Sequence, residues 1–298
     1  MKIIVTGSGG LIGKPLVSDL RAVGHDVIRM VRREAVAADE IAWDPVAGTI
    51  DERGLAGVDV VIHLAGAGIG DHRWTDSYKK EILDSRALGT SLLASTLARL
   101  EKRPSVLVSA SAIGWYGDRG DEILDETAAQ GSGFLSDVTA AWETAAEPAA
   151  DAEIRVVHPR TGIVLSKDGG ALRRLLLPFK LGVGGRTGSG NQWWSWITLE
   201  DEVRALTHLA LSSSLAGPVN LTAPNPVTNQ EFVRILGSVL RRPAVLPTPS
   251  LALKAMLGSE MADALLFQSQ RVVPARLVGD GFTFESPTLR EALRSLIA

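Results

Sequence analysis

Directly after the apolar run at residues 2–6 the chain reads Gly7-Ser8-Gly9-Gly10-Leu11-Ile12-Gly13, and an amphipathic stretch follows to Val23. A β-branched run, glycines three residues apart and a helix form a βα unit with a tight turn. In such a unit Gly7 permits the turn, Gly10 lets the backbone approach a pyrophosphate, and Gly13 lets helix and strand pack closely. The N–H groups at the helix start then face the anion. The spacing predicts dinucleotide binding, with Gly7, Gly10 and Gly13 at the diphosphate.

The same alternation continues. Strands are predicted at residues 2–6, 26–31, 40–43, 58–64, 105–109 and 154–158, and helices at 11–23, 75–100 and 134–150. In the second helix Ile82, Leu83, Leu88, Leu92, Leu93, Leu97 and Leu100 supply an apolar face at helical spacing. Short apolar strands alternating with longer helices imply an α/β fold, a Rossmann-type doubly wound parallel sheet with a small C-terminal cap on the substrate side. Beyond Gly162 the pattern loosens into a glycine-rich stretch at 181–191. A helix at 200–211, a strand at 218–221 and a helix at 229–240 capped by Thr228 come next. The segment Arg241-Arg242-Pro243-Ala244-Val245-Leu246-Pro247 then breaks regular structure. The expected organisation is one nucleotide-binding body over residues 1–240, with residues 241–298 as a short helical segment packed on it.

Composition narrows the partners. Lysine and arginine number 31 against 34 acidic residues, a net charge of -3, so there is no broad basic field for nucleic acid or an anionic membrane. The chain enters its first motif without a signal-like segment, and no stretch approaches the ~18 apolar residues of a membrane span. With no cysteine, disulfides and thiolate chemistry are excluded. A cytoplasmic protein with a small-molecule substrate is expected.

The end of the second strand reports on the ribose. An acidic side chain there binds a 2′-hydroxyl, whereas an arginine receives a 2′-phosphate. Arg32 and Arg33 stand at that place, and a guanidinium fork suits phosphate, so NADP is the expected cofactor, with Arg32 on its 2′-phosphate. Asp44, closing the third strand before Pro45, either accepts from the adenine amino group or serves as an acidic turn. His63 is read as a packed strand-end residue. Leu64, Ala65 and Gly66 are small or apolar enough to let backbone pass the cofactor.

Several further motifs carry a resemblance. Thr6-Gly7-x-x-Gly10-x-x-Gly13, the run Val61 to Gly66 and the run Val108 to Gly117 resemble the extended short-chain dehydrogenase/reductase superfamily. Arg73-Trp74-Thr75, Ser85 to Thr90, Pro159 to Leu165, Gly169 to Arg174 and Gln192 to Ile197 are similar to its NAD-dependent epimerase/dehydratase-like subgroup, some members of which are labelled cell-division inhibitors. The resemblance implies that Gly7, Gly10, Leu11, Ile12 and Gly13 form the pyrophosphate loop and that Leu64, Ala65, Gly66 and Ser109 line the cofactor. Arg86 stands where related enzymes often have asparagine; it meets cofactor phosphate or substrate, or else pairs on the helix surface with Glu81 or Asp84. Ser111 corresponds to the catalytic serine.

The rest of the superfamily's triad is missing. Its Tyr-x-x-x-Lys depends on an ammonium group to lower a phenol pKa from about 10. Only Tyr78 and Tyr116 occur here, followed four residues later by Ile82 and Gly120, and the corresponding helix carries Leu135 and Thr139. Tyr116 is the expected substitute, with Glu143 second, while Arg160 is expected to form a structural ion pair. Trp193, Trp194 and Trp196 are three of seven tryptophans and either wall an apolar pocket or belong to a structural turn. Two functions follow: an NADP(H)-dependent oxidoreductase or epimerase-like enzyme, or a catalytically silent NADP(H)-binding sensor.

Overall fold

The computed structural model describes residues 1–244 and 247–297; Val245, Leu246 and Ala298, which belong to the expected C-terminal segment, lie outside the described residues. The strands are β1 (Lys2–Thr6), β2 (Asp26–Val31), β3 (Glu40–Asp44), β4 (Thr49–Ile50), β5 (Val60–His63), β6 (Val106–Ser109), β7 (Ser111–Ala112), β8 (Ile123–Leu124), β9 (Arg155–Thr161), β10 (Ile163–Leu165), β11 (Trp193–Trp194), β12 (Trp196–Thr198), β13 (Gly217–Leu221), β14 (Val227–Thr228) and β15 (Arg271–Val272). The helices are α1 (Gly13–Ala22), α2 (Asp76–Arg99), α3 (Phe134–Thr144), α4 (Glu147–Asp151), α5 (Gly170–Lys180), α6 (Leu199–Leu211), α7 (Asn229–Leu240), α8 (Ser250–Leu257), α9 (Ser259–Ala262), α10 (Ala275–Gly279) and α11 (Leu289–Ile297).

The main sheet has the order β13-β9-β6-β5-β1-β2-β3-β4, parallel except for the β3–β4 pair, with β7 also pairing with β9. Its centre reads as unbroken apolar runs, Ile3-Ile4-Val5, Val60-Val61-Ile62 and Val106-Leu107-Val108, all wholly buried, because helices cover both faces. Alternation assigns those faces. Ile3, Val5, Val60, Ile62, Val106, Val108 and Val157 pack with Leu16, Leu20, Val203 and Leu206 of α1 and α6. Ile4, Val61, Leu107 and Val156 pack with Leu93, Leu97 and Ala149 of α2 and α4. At ~1.5–3 kcal/mol per buried aliphatic side chain, these two layers supply most of the driving force. The chain leaves β1 toward β2 on one side and β5 on the other, so the strand order reverses at β1, and the crevice at such a point is where open α/β sheets bind ligands.

The predicted helix at 134–150 is two helices. Pro148 has no N–H to return to the carbonyl of Thr144, so α3 ends at Thr144 and α4 restarts at Glu147. Residues 170–180, within the stretch where the sequence periodicity loosens, form α5: Leu172 and Phe179, seven residues apart, are buried, and flanking glycines mask the period. Thr228 caps α7 as expected, accepting from the Glu231 amide.

Beyond the sheet, Phe232, Val233 and Leu236 of α7 pack with Leu289, Ala292 and Leu293 of α11. The wholly buried Asp201 on α6 accepts from the amides of Glu285 and Ser286 at 2.9 and 3.0 Å, pinning the segment that leads into α11.

Candidate functional site

The glycine loop opens from the carboxyl end of β1 against the chain leaving β5. Gly7 has φ +64°, and a Cβ there would lie 2.8 Å from the Leu64 carbonyl carbon; a Cβ on Gly13 would lie 2.2 Å from the Gly7 oxygen. Both contacts fall inside van der Waals distance, so any side chain would force helix, turn and β5 loop apart. A nucleotide cradle has this shape: backbone on backbone, with the start of α1 aimed outward. Ile12, Leu64, Val164 and Leu199 are half-buried and pack against the core layer on the α1 and α6 side.

A polar clamp beneath the loop fixes its floor. Thr6 Oγ1 accepts from the amides of Leu64 and Ala65 at 3.0 and 3.1 Å and lies 2.7 Å from His63 Nδ1. With both lone pairs engaged, the threonine proton points to Nδ1, so His63 donates from Nε2 to Thr90 Oγ1 at 3.0 Å. Burial pushes the imidazole down to about 4. His63 is therefore a neutral structural bridge.

At the end of β2 the two arginines separate. Arg33 donates to both oxygens of Glu40 at 2.8 and 2.6 Å and, with that bond as the main cause, draws the Glu40 carboxyl down to about 2. Arg32 is exposed and has no side-chain partner among the described residues. It borders a cleft of about 360 Å³ with Ala42, Trp43, Asp44 and Thr49. Asp44 Oδ1 accepts from the amides of Val46 and Ala47 at 2.9 and 3.0 Å. One of its oxygens thus closes the turn, although the side chain stands at the cleft edge.

Arg86 does not pair with Glu81 or Asp84. Asp84 takes Lys80, while Arg86 bends back to donate to the carbonyls of Ala67 and Ile82 at 3.0 and 3.1 Å and lies 4.9 Å above the Trp142 ring. Burial pulls its pKa down to about 10, and no carboxylate neutralises it among the described residues. It packs against Gly66, where a Cβ would come within 3.2 Å of its Cζ. Ser109 Oγ and Trp142 Nε1, on the same side of the sheet, are buried without partners among the described residues.

Ser111 opens β7 and donates to Glu143 Oε1 at 2.6 Å. Arg160, near the end of β9, grips both oxygens of Glu143 at 2.8 and 2.9 Å, reaches Tyr116 Oη at 3.2 Å and lies 4.0 Å above the Trp115 ring. Tyr116 in turn donates to Asn220 Oδ1 at 2.7 Å. The ion pair expected for Arg160 is present. The expectation that Tyr116 handles the substrate's proton does not suit this geometry: it is wholly buried, its hydroxyl is committed to two partners, and burial raises its pKa. Glu143, ranked second in the sequence, is the carboxylate that touches Ser111. Leu135 and Thr139 bring no titratable group, and the Thr139 hydroxyl turns back to the carbonyls of Leu135 and Ser136.

The pocket reading of the tryptophans fails for two of the three. Trp194 packs edge-on against Phe232 and Trp196 is wholly buried, both in the α5, α7 and α11 core. Trp193 alternates to the other side, donates to Asp121 at 2.8 Å and carries Arg271 over its ring.

One buried acid escaped the sequence reading. Glu202 in the first turn of α6 is 1% exposed; Thr161 donates to its Oε1 at 2.8 Å, and its Oε2 has no partner among the described residues. Burial pushes its carboxyl up to about 8. It sits among three consecutive acids, which read as a charged helix start. The signal was its spacing, four and seven residues before the buried Leu206 and Leu209.

Residues 3–221 match the NAD dependent epimerase/dehydratase family, and residues 248–296 match a domain of unknown function (DUF1731). Epimerase family protein Mb2239 of Mycobacterium bovis is 44% identical over 98% of this chain and 96% of its own. A chloroplastic SDR39U1 homologue of Arabidopsis thaliana is 39% identical over 100% of this chain and 87% of its own. The crystal structure of human epimerase family protein SDR39U1 (isoform 2) with NADPH is 34% identical, covers 99% of each chain and has a TM-score of 0.91. MoeE5 in complex with UDP-glucuronic acid and NAD, 22% identical with a TM-score of 0.79 over 100% of this chain and 98% of its own, shares the fold. Among the described residues no helix is long and apolar enough to cross a membrane. The glycine cradle, the strand-order reversal above which it sits and the match along most of the sequence have one explanation, that this chain belongs to the NAD dependent epimerase/dehydratase family.

Proposed function

We propose that the protein is an NADP(H)-binding oxidoreductase or epimerase-like enzyme for a small organic substrate, with residues 241–298 capping the substrate side of the body formed by residues 1–240. Arg32 carries this reading: at the end of β2 it is the guanidinium left without a partner, whereas Arg33 is consumed by Glu40. The human relative's structure contains NADPH, in line with that choice. Gly7, Gly10, Leu11, Ile12 and Gly13 cradle the diphosphate, Arg32 forks onto the 2′-phosphate, Asp44 borders the adenine, and Leu64, Ala65, Gly66 and Ser109 line the way toward Ser111. Arg86 faces an anionic group of cofactor or substrate. When bound, the cofactor supplies a hydride donor or acceptor.

Ser111 spends its proton on Glu143, so its oxygen is left to accept from a substrate hydroxyl, and Glu143 Oε1 is where the relayed proton rests. Arg160 holds that carboxylate in place. The second reading, a silent NADP(H) sensor, is favoured by Leu135 and Thr139 in the positions of the superfamily's tyrosine and lysine.

Isothermal titration of NADPH and NADH against the wild type and Arg32→Ala tests the cofactor assignment. A loss of about 1.5–3 kcal/mol is expected for NADPH alone; equal losses for the two cofactors would remove Arg32 as the discriminator. A turnover screen of carbonyl and sugar-nucleotide compounds decides between the readings. Turnover abolished by Ser111→Ala supports the enzyme, and tight NADPH binding with no turnover supports the sensor.

A further inference from the structure

Arg86 on α2 carries a guanidinium of which the fold uses one corner. Nη1 donates to the carbonyls of Ala67 and Ile82. Nε and Nη2 have no partner among the described residues, and unlike the Nε1 of Trp142 beside them they are not sealed from solvent. The residue as a whole is partly exposed, and the bare Gly66 puts no side chain over the group. The free Nε–Nη2 edge presents two parallel N–H bonds, the arrangement that meets both oxygens of a carboxylate.

Among the described residues no carboxylate supplies that partner. On α2, Asp84 takes Lys80; in the loop after β5, Asp71 lies with Arg174; on α3, Glu143 is held by Arg160 and Ser111. The Trp142 ring under the cation favours its charge without cancelling it.

The place of Arg86 in the sheet selects the source of the missing anion. Arg32 follows β2, and β1 lies between β2 and β5, so two strand spacings, about 10 Å, separate the 2′-phosphate site from the segment after β5 against which Arg86 packs. The diphosphate falls to the glycine loop and the start of α1. Arg86 lies toward α3 instead: the ring beneath it belongs to Trp142, next in sequence to Glu143, and Glu143 is what Ser111 touches. The unneutralised cation is on the Ser111 side of the site. It also acts alone there, since Arg160 is engaged by Glu143, Lys79 by Glu260 and Arg174 by Gly70 and Asp71, while Arg73 lies against Gly258. One free guanidinium edge with no second free cation beside it matches a singly charged, planar carboxylate rather than a phosphate dianion.

We propose that the Nε–Nη2 edge of Arg86 binds a carboxylate of the substrate, which is therefore a small organic acid whose reacting hydroxyl or carbonyl reaches Ser111. This deepens the NADP(H) reading and rests on it, and the test separates the two. Nitrogen-15-labelled wild type is titrated with pyruvate, benzoylformate, pyruvamide and inorganic phosphate, with and without saturating NADPH, while the Arg86 Nε–H resonance, assigned by its loss in Arg86→Lys, is followed by NMR. The two carboxylates should move that resonance saturably, and pyruvamide, of the same shape without the charge, should not. In ligand-detected titrations Arg86→Gln should weaken both carboxylates about tenfold or more, and Arg86→Lys, which keeps the charge and loses the fork, by less. NADPH should bind both variants within about twofold of the wild type, because its phosphates are held elsewhere, with melting curves to verify folding. No response to either carboxylate, an equal response to pyruvamide, or tighter binding of inorganic phosphate would overturn the proposal. So would a resonance moved by NADPH alone together with a tenfold loss of NADPH affinity in Arg86→Gln, which would give the anion to the cofactor and leave the NADP(H) reading standing. Failure of NADPH to bind the wild type would instead overturn that reading, and the titration without NADPH would still decide the carboxylate.

Discussion

Removing the carboxylate of Glu143 should expose how much of this site depends on one buried ion pair. The Arg160 side chain is 3% exposed and that of Glu143 11%. In Glu143→Ala the guanidinium loses both carboxylate bonds and keeps only the Tyr116 hydroxyl and the Trp115 ring as close partners, while Ser111 loses its acceptor. Breaking a buried pair from one side costs about 3–5 kcal/mol, because a charge is left without compensation. The retained contacts argue for the lower end, about 3 kcal/mol, a large share of the ~5–15 kcal/mol that holds a typical domain folded. Urea unfolding followed by tryptophan fluorescence measures it. The double variant Glu143→Leu/Arg160→Met, with no buried charge, should be more stable than Glu143→Ala although it lacks one more native group. A loss below about 1 kcal/mol in Glu143→Ala would show that the pair behaves like an exposed bridge, and the account of Ser111 being held by a rigid carboxylate would fall with it.

Glu202 should leave a mark on stability. Its folded pKa lies above the unfolded one, so its contribution is present below about pH 4.5 and is lost as pH rises toward about 8. Relative to the wild type, Glu202→Gln should therefore gain stability between pH 5 and pH 8, by an amount on the order of 3 kcal/mol; an equal difference at both pH values would refute this. His63 should titrate far below an ordinary histidine, near pH 4, as the Nε2–H tautomer, and nitrogen-edited NMR showing a midpoint near 6.5 would break the Thr6–His63–Thr90 bridge as described. Gly13→Ala places a methyl 2.2 Å from the Gly7 oxygen and should weaken NADPH at least tenfold; titration with unchanged affinity would mean that the cradle is not where the cofactor lies.

Much of the fold was legible because it rests on local periodicity. β1 and β2 occupy the predicted residues and α1, α2, α6 and α7 fall within two residues of theirs, since buried parallel strands and amphipathic helices write their burial into the sequence. The glycine loop was equally legible, because Gly10 and Gly13 answer to the Gly7 carbonyl only a few residues away, although the approach of Gly7 to Leu64 is made by the packed sheet. The family followed from the order of such motifs along the chain.

Tertiary structure decided whatever depends on which side chains meet across the sheet. Arg32 and Arg33 are adjacent and chemically equal, and only Glu40 on the neighbouring strand makes one of them unavailable. Tyr116 follows the Ser111 strand as a catalytic tyrosine would, yet Asn220, 104 residues away, closes over its hydroxyl. Glu143 and Ser111 lie 32 residues apart and are joined by the docking of α3 on β7. Glu202 looked like one more charge at a helix start until α6 turned it beneath β9. Local sequence specifies the backbone path through short-range sterics and periodic burial; the protonation state and availability of each polar group depend on desolvation and distant partners, which exist only once the layers have packed.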